Sequence, residues 1–202
     1  MTPAPESTDD HLVSLSKDGD LDAFNSLVDR YQDAVYNLCY RMLGHREAAA
    51  DATQETFLSA YRAIRTFAGG NVRGWLLRIA ANQSKDELRR RKRKDRAGSL
   101  DQYVDIAGAA LEVADATPGA AAIVERSELS ALVQRALDGL PVDQRQAIAL
   151  VDLAGLRYEE VAEALGVSLG TVKSRIHRGR DRLREYFRSN RELLEGYWRL
   201  EE

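Results

Sequence analysis

Hydrophobic residues recur every three or four positions along most of this chain, which is the period of an amphipathic α-helix. The longest run begins at Leu21 and continues to Met42, and Gly44 is expected to end that helix. No alternating pattern typical of a β-strand interrupts the series. The chain is therefore predicted to be all-α, with helices at about 21–42, 46–67, 72–93, 124–139, 142–154, 158–165 and from about 169 onward.

One segment lacks this periodicity. Residues 97–125 contain five acids and no base, together with many Ala and Gly residues and one proline. Such a composition is typical of a flexible linker. Two compatible interpretations are a spacer kept soluble by its charge and a segment that mimics the charge of a nucleic acid; a spacer of this composition can be both. We therefore predict two helical domains joined by an acidic flexible linker, with boundaries at 12–95, 96–124 (the linker), 125–190 and 191–202 (a C-terminal tail).

Residues 156–184 form the most distinctive pattern, two short helices joined by a tight turn. Gly166 suits the turn because it has no Cβ, and Ser168 suits the N-cap of a second helix that starts near Leu169. Gly179 permits close packing on the apolar face of that helix, which carries Val172, Ile176 and Leu183. The opposite face is basic. The pattern predicts a DNA-binding helix-turn-helix; the alternative is an amphipathic hairpin with a solvated basic face.

The net charge of −3 hides two basic segments. Residues 1–60 contain eleven acids and four bases, whereas residues 85–96 contain eight bases and three acids, and residues 171–191 eight bases and two acids. Two separated cationic segments predict two contacts with a polyanion. The acidic parts are expected to lie away from DNA or to meet a basic protein partner.

The predicted helix at 72–93 has two different faces. Its core side is expected to carry Leu77, Ala80, Ala81 and Leu88. The other side carries Trp75, Ile79, Asn82 and Asp86, flanked by Arg78 and Arg89. An exposed aromatic ring beside arginines suits contacts with unstacked bases and phosphates. The alternative is that Trp75 and Ile79 pack under the loop at 69–74.

Other classes of protein are disfavoured by composition. Cys39 is the only cysteine, so no intrachain disulfide or cysteine metal cluster is expected, and its place on an apolar helix face predicts a buried thiol. No apolar run approaches the roughly 18 residues of a membrane span, and the polar N-terminus argues against a signal peptide. A cytoplasmic protein is expected. Three scattered histidines and the absence of nucleophile, phosphate-loop or metal motifs favour a protein that is not an enzyme and holds no metal or cofactor.

Four sequence blocks, and the order in which they follow one another along the chain, resemble the bacterial extracytoplasmic-function (ECF) sigma factors of the sigma-70 superfamily. They cover roughly residues 12–188 and read AFNSLVDRYQDAVYNLCYRMLG at 23–44, DATQETF at 51–57, GWLLRIAANQSKDELRRRKR at 74–93, and the helix-turn-helix with GTVKSR at 170–175. The resemblance implies a factor that binds core RNA polymerase and directs promoter-specific initiation by recognising −10 and −35 elements. The alternative is a stand-alone helix-turn-helix regulator that binds operator duplex without polymerase.

The resemblance also implies site residues. Polymerase contacts would come from Asp51, Gln54, Glu55 and Phe57, of which Phe57 is expected to point inward. Contacts with the −10 element would come from Trp75, Arg78, Ile79, Asn82, Lys85, Asp86 and Arg89, with the loop at 67–74 capturing a flipped base. Contacts with the −35 element would come from Thr171, Lys173, Ser174, Arg175, His177, Arg178 and Arg180.

The implied partners are promoter DNA, an anti-sigma factor, and core RNA polymerase through its largest-subunit coiled coil and its flap region, with no membrane insertion. Two positions depart from the family pattern. Val72 stands where an aromatic residue is common, and Arg157 stands where Ser or Thr usually caps the first helix of the helix-turn-helix.

Overall fold

The computed structural model describes residues 8–96 and 120–191. The first range contains α1 (Asp9–Lys17), α2 (Leu21–Leu43), α3 (Arg46–Ala63), a 3₁₀ turn (Ile64–Thr66) and α4 (Val72–Arg96). The second contains α5 (Ala120–Asp138), α6 (Val142–Ile148), a π turn (Ala149–Leu153), α7 (Tyr158–Leu165) and α8 (Leu169–Ser189). Every described element is helical, so the all-α prediction is confirmed for these ranges.

The predicted boundaries of α2 are confirmed, and each has a local cause. At the start, the Asp20 carboxylate accepts hydrogen bonds from the backbone N–H of Asp22 (2.9 Å) and Ala23 (3.1 Å). At the end, Gly44 adopts φ +75°, a left-handed conformation that costs glycine little. The next helix is shorter than predicted, because the turn after Ala63 tightens to a 3₁₀ turn before the loop at 67–71.

The core of the first range lies where α2, α3 and α4 meet. Val35, Cys39 and Met42 of α2 have no exposed surface, and neither have Leu77 and Ala80 of α4. The predicted buried thiol is therefore confirmed, and burial raises the pKa of Cys39. The arrangement turns one face of α3 and one face of α4 outward.

The second range begins with a helix that starts earlier than expected. Helix α5 begins at Ala120, four residues before the predicted start near Val124. The predicted helix at 142–154 is α-helical to Ile148 and then π-helical to Leu153. Residues 97–119 of the predicted acidic linker and residues 192–202 of the predicted C-terminal tail fall outside the described residues.

The two helical ranges pack against each other through a mixed apolar and polar contact. Leu137, Leu140 and Ile148 belong to one buried cluster with the core of α2 and α4. Arg145 of α6 is 6% exposed and donates to the carbonyl of Met42 (2.7 Å) and to the Asp138 carboxylate (2.9 Å). Burial lowers the pKa of this guanidinium. Arg145 thus joins the C-terminal end of α2 to the start of α6.

None of the helices in the described ranges combines the length and the apolar character that a membrane-spanning helix needs.

Candidate nucleic-acid interface

The elements at 158–189 form a helix-turn-helix. Gly166 ends α7 with φ +63°, and the Ser168 hydroxyl then caps α8 by accepting from the backbone N–H of Thr171 (3.1 Å). Val161 of α7 and Val172 of α8 have no exposed surface, and Ile176 is 1% exposed. The predicted turn, cap and apolar stripe are therefore confirmed. Because this stripe is buried, the opposite face of α8 is left for solvent or a ligand.

That opposite face is polar and cationic. Lys173, His177 and Arg178 are exposed, and Thr171, Ser174 and Arg175 are half-buried. The Arg178 guanidinium donates to the Ser174 hydroxyl (3.1 Å) and to the Ser174 carbonyl (3.2 Å). These bonds hold the arginine along the helix surface and leave further N–H groups for another acceptor.

Carboxylates hold two of the predicted −35 residues. Arg180 makes a two-point contact with Asp152 of the π turn, at 2.5 and 3.0 Å, and the hydrogen bonds raise the pKa of the guanidinium. Arg175 lies 3.6 Å from Asp143 of α6. Sequence reasoning missed both acids, because each lies 28 or more residues from its partner and the local pattern shows no sign of the pairing.

The cap of α7 is supplied by a residue other than the expected one. Arg157 occupies the N-cap without a side-chain hydrogen bond to the helix N–H groups, and the Glu160 carboxylate accepts from the Arg157 backbone N–H (2.7 Å). The amide of Asn71, from the loop before α4, also donates to Glu160 (2.9 Å). These two hydrogen bonds lower the pKa of Glu160. The departure at Arg157 is thus compensated by the acid three residues later.

Helix α4 presents a second polar face. Asn82, Asp86 and Arg89 are exposed, whereas the predicted core residues Leu77, Ala80 and Ala81 have no exposed surface. Lys85 lies between these groups, and its side chain is 19% exposed. Its Nζ is 2.6 Å from Oδ1 of Asp143. The hydrogen bond from Lys85, followed by the charges of Lys85, Arg175 and Arg89, lowers the pKa of Asp143.

The loop before α4 has fixed ends and an open middle. At its start, Lys17 of α1 donates to the Phe67 carbonyl (2.6 Å). At its end, the Asn71 side chain accepts from the backbone N–H of Gly74 (2.9 Å). Between them Gly69 and Gly70 adopt φ +95° and +93° with open space where a Cβ would lie. Such a loop leaves room for a ligand between two anchored ends.

Of the two interpretations of Trp75, packing under this loop describes the observed position. The Trp75 ring lies 4.8 Å from the Phe67 ring, measured between centroids, and is half-buried. Ile79 is also half-buried and packs against the core, and Arg78 is half-buried. Trp75 therefore contributes to the floor of the loop.

A third surface lies on α3, where Asp51, Gln54 and Glu55 are exposed. Phe57 is 8% exposed and points inward as predicted. Beside the exposed acids, an apolar groove runs between α2 and α3. Three large apolar side chains at this groove are exposed, Leu21 at 56%, Leu58 at 43% and Tyr61 at 38%. Periodicity alone assigns them to the core, so sequence reasoning missed the groove.

Comparison with known proteins identifies the family. Residues 27–94 match the model for sigma-70 region 2, and residues 130–183 match the model for sigma-70 region 4. The chain is 40% identical over 187 residues to the ECF RNA polymerase sigma factor SigE of Mycolicibacterium smegmatis, covering 92% of this chain and 70% of that one. It is 40% identical over 185 residues to SigW, an ECF sigma factor of Bacillus subtilis, covering 87% and 95%.

A solved structure gives the same result for the fold. The chain is similar to the sigma factor RpoE from Bartonella quintana, in a complex with the anti-sigma factor NepR, with a TM-score of 0.65 and 25% identity. The similarity covers 82% of this chain and 96% of that one. A stand-alone helix-turn-helix regulator does not require a region 2 domain, so the match to both sigma regions disfavours that alternative. The chain belongs to the ECF family of RNA polymerase sigma factors, non-enzymatic proteins that bind core RNA polymerase and direct it to initiate transcription at specific promoters.

Proposed function

We propose that the two helical domains divide the work of promoter recognition. Residues 12–95 bind core polymerase and recognise and melt the −10 element, and residues 125–190 recognise the −35 element. Residues 96–124 join the two domains, and residues 191–202 lie beyond them. The matches to sigma-70 regions 2 and 4 support this division, because they fall within the two proposed domains.

Core polymerase binds at the acidic surface of α3 and the groove beside it. Asp51, Gln54 and Glu55 offer polar and acidic groups next to the exposed Leu58 and Tyr61. Large apolar side chains bordered by acids suit a protein partner that carries apolar and basic residues. We assign the largest-subunit coiled coil to this surface. Buried Phe57 supports α3 from within, and the second domain meets the flap region.

The −10 element lies along the outer face of α4. Asn82 and Arg89 are exposed side chains that can donate to a DNA strand, and Asp86 lies between them. Lys85 supplies a cation for a phosphate, and Ile79 lies nearer the loop. Trp75 packs on Phe67 at the base of the loop, Arg78 adds a cation for the strand, and the open middle at 68–70 receives a flipped base. An extruded base needs such a pocket outside the duplex.

The −35 element lies against the outer face of α8. The observation that carries this assignment is the burial of Val172 and Ile176, which turns Lys173, Ser174 and Arg178 toward the side that a major groove would meet. Arginine and lysine favour the acceptors of guanine there. Thr171 and His177 border this set, while Arg175 and Arg180, held by carboxylates, act as phosphate contacts.

An anti-sigma factor is a further partner. The similar structure of the Bartonella sigma factor is a complex with an anti-sigma factor, which supports a comparable partner for this chain. The exposed groove between α2 and α3 provides a surface for it. Such a partner would compete with polymerase for the same side chains.

The test of the proposed function is initiation itself. Core polymerase is supplied with this chain on genomic DNA fragments, and the transcripts are sequenced from their 5′ ends. We expect starts that share two upstream elements and that disappear when the chain is left out. A set of starts without a shared −35 or −10 element, or starts that do not depend on the chain, would overturn the proposal.

A further inference from the structure

The last residue of α1 reaches across to the loop before α4. Lys17 is half-buried, and its Nζ donates to the carbonyl of Phe67 (2.6 Å), 50 positions away along the chain. The same ammonium lies 5.9 Å from the centroid of the Phe67 ring. A hydrogen bond from a charged donor is stronger than one between neutral groups, and a cation near an aromatic face adds to it. Lys17 therefore holds Phe67 at two points.

Phe67 joins three elements at the point where the loop begins. Its backbone N–H donates to the Ile64 carbonyl of the 3₁₀ turn (3.1 Å). Its ring is 8% exposed and packs on the Trp75 ring of α4. Its carbonyl accepts from Lys17 of α1. Of these three contacts, the last acts on the peptide plane that leads into the loop, because the Phe67 carbonyl and the Ala68 nitrogen share that plane.

The two glycines that follow have open surroundings. Gly69 and Gly70 adopt φ +95° and +93°, and a Cβ at either position would meet nothing within 4 Å. Glycine has more backbone freedom to lose than any other residue, so it needs support from its neighbours to keep one conformation. At the far end, Asn71 accepts from the backbone N–H of Gly74 (2.9 Å). At the near end, the path of the loop depends on the direction in which the chain leaves Phe67.

The lysine is carried by a helix that is itself held in place. Leu12 and Val13 of α1 are each 5% exposed and belong to the buried core. The first turn of α1 is held to α2 by the hydrogen bond from Tyr31 to Asp9. A group on a packed helix is positioned more accurately than one on a loop. Lys17 thus passes the fixed position of α1 to the first peptide of the loop.

We infer that Lys17 is a positioning residue for −10 recognition: by fixing the peptide that joins Phe67 to Ala68, it holds the open middle of the loop where a flipped base can enter. The inference rests on the proposed role of the loop in capturing that base. It adds a residue from outside the proposed polymerase, −10 and −35 sets, which acts through the backbone and touches no DNA. Removal of its ammonium should loosen the choice of the captured base and leave polymerase binding and −35 recognition unchanged.

Three variants of the full-length chain separate this role from a general effect on α1. Lys17→Met keeps the length of the side chain and removes the donor, whereas Lys17→Arg restores a cationic donor. Tyr31→Phe releases the other end of α1 and leaves Lys17 in place, so it serves as the matched control. Urea unfolding of each variant establishes that it is folded under the conditions of the assays.

The first measurement asks whether the lysine orders the loop in the free chain. The chain has two tryptophans, Trp75 and Trp198, so Trp198→Phe leaves a single fluorophore, which packs on Phe67. In that background we expect acrylamide to quench Trp75 more strongly when Lys17→Met is added, because Phe67 is then free to leave the ring. Addition of Lys17→Arg should restore the original quenching constant. Equal quenching with and without Lys17→Met would overturn the inference and would leave the proposed function standing.

The second measurement asks whether the loop then loses its selectivity. Core polymerase with each variant forms open complexes on a promoter library randomised across the −10 element, and the selected DNA is sequenced. We expect Lys17→Met to reduce the base preference at one −10 position about tenfold, as the loss of a fitted site for one unstacked base requires. In Lys17→Arg and Tyr31→Phe the preference at that position should stay within about twofold of wild type.

The contradicting results are distinct. A full preference in Lys17→Met, or an equal loss in Tyr31→Phe, would overturn the inference. Weaker binding of every library member by Lys17→Met, with a salt slope lowered by about one unit, would make Lys17 a phosphate contact and would overturn it as well. A wild-type chain with no base preference anywhere in the −10 element would instead overturn the proposed function of the loop, and the positioning role with it.

Discussion

Gly179 of α8 and Ile148 of α6 approach so closely that a Cβ at residue 179 would lie 2.9 Å from Cγ1 of Ile148. Real Cβ atoms are essentially never that close to another heavy atom. Ile148 is 2% exposed, so its side chain has little room to move. The absence of a side chain at residue 179 therefore sets how closely α8 packs on α6.

Gly179→Ala is expected to destabilise the second domain. Overpacking a buried contact costs about 1–3 kcal/mol, and the better helix propensity of alanine offsets about 1 kcal/mol, so we expect a net loss of about 1 kcal/mol. Urea unfolding followed by circular dichroism measures the change. In an Ile148→Ala background the same substitution should be neutral or stabilising, because the obstructing atoms are gone. An equal loss in both backgrounds would refute the steric explanation.

Tyr31 of α2 donates a hydrogen bond to Asp9 of α1, which also pairs with Arg30. Burial, followed by this hydrogen bond and the Asp9 charge, raises the pKa of Tyr31 to about 12. Tyr31→Phe should lower the free energy of unfolding by about 1 kcal/mol near neutral pH, since the hydrogen bond is partly solvated. Tyr40→Phe, another tyrosine of α2, serves as the matched control.

The pH dependence of that difference has a defined sign. A tyrosine whose pKa is raised on folding contributes its full stability below the ordinary value of 10.0 and loses it as pH rises through about 12. The difference between wild type and Tyr31→Phe should therefore stay constant below pH 10.0 and shrink above it. A difference that grows with pH over this window would show that the hydroxyl is not the donor.

Glu55 of α3 is exposed beside the apolar groove. Glu55→Arg should weaken binding to core polymerase about tenfold or more, because a reversed charge meets the basic residues expected on the partner. The helix content should remain unchanged, since the side chain has no role in the core. Asp18→Arg is the matched control, an exposed acid at the end of α1 where a cation suits the helix dipole. Undiminished capture of core polymerase by Glu55→Arg would remove this residue from the polymerase surface.

Asn82 and Arg89 of α4 are the exposed donors proposed to follow the melting strand. Replacing both by alanine should reduce promoter opening about tenfold while core binding stays near normal, since each lost strand contact costs about 1 kcal/mol or more. Permanganate reactivity of unpaired thymines reports the opening. Arg90→Ala is the matched control, because Arg90 on the same helix pairs with Glu87. Normal reactivity in the double variant would return Asn82 and Arg89 to a structural role.

The helices could be predicted from the sequence because the residues that start, end and pattern each helix lie close together along the chain. The period, the Ser168 cap and the glycines at 44 and 166 identified the long helix and the helix-turn-helix. The contacts that join the two domains could not be predicted from the sequence. Asp143 lies 58 positions from Lys85 in the sequence. A hydropathy pattern predicts that a glutamine such as Gln146 is exposed to solvent, but its side chain is fully buried. These polar residues find their partners through the packing of α6 against α4 and α8.

The same limit applies to the exposed surfaces. Leu58 follows the period of a buried residue, yet it borders an open groove because no described element covers that side of α2 and α3. On α8, the sequence distinguished the buried stripe from the basic face. It did not show which arginines are held by acids. By sequence Arg178 and Arg180 are equivalent, but in the structure Asp152 binds Arg180.

The most direct test asks which arginines of α8 recognise a base pair and which make only electrostatic contact with DNA. Among the described residues, exposed Arg178 is hydrogen-bonded only to Ser174 of its own helix, whereas Arg184, nearly two turns further on, is paired with Asp181 (2.7 Å). The measurement is binding of holoenzyme to a library of −35 variants at two salt concentrations, for wild type, Arg178→Ala and Arg184→Ala.

We expect Arg178→Ala to lose about 1–3 kcal/mol of binding free energy and to relax the preference at one base pair. Arg184→Ala should weaken all variants slightly and lower the salt slope by at most about one unit. Equal losses on every −35 variant for Arg178→Ala would contradict the account, because they would leave that arginine as an electrostatic contact and the outer face of α8 without its proposed reader.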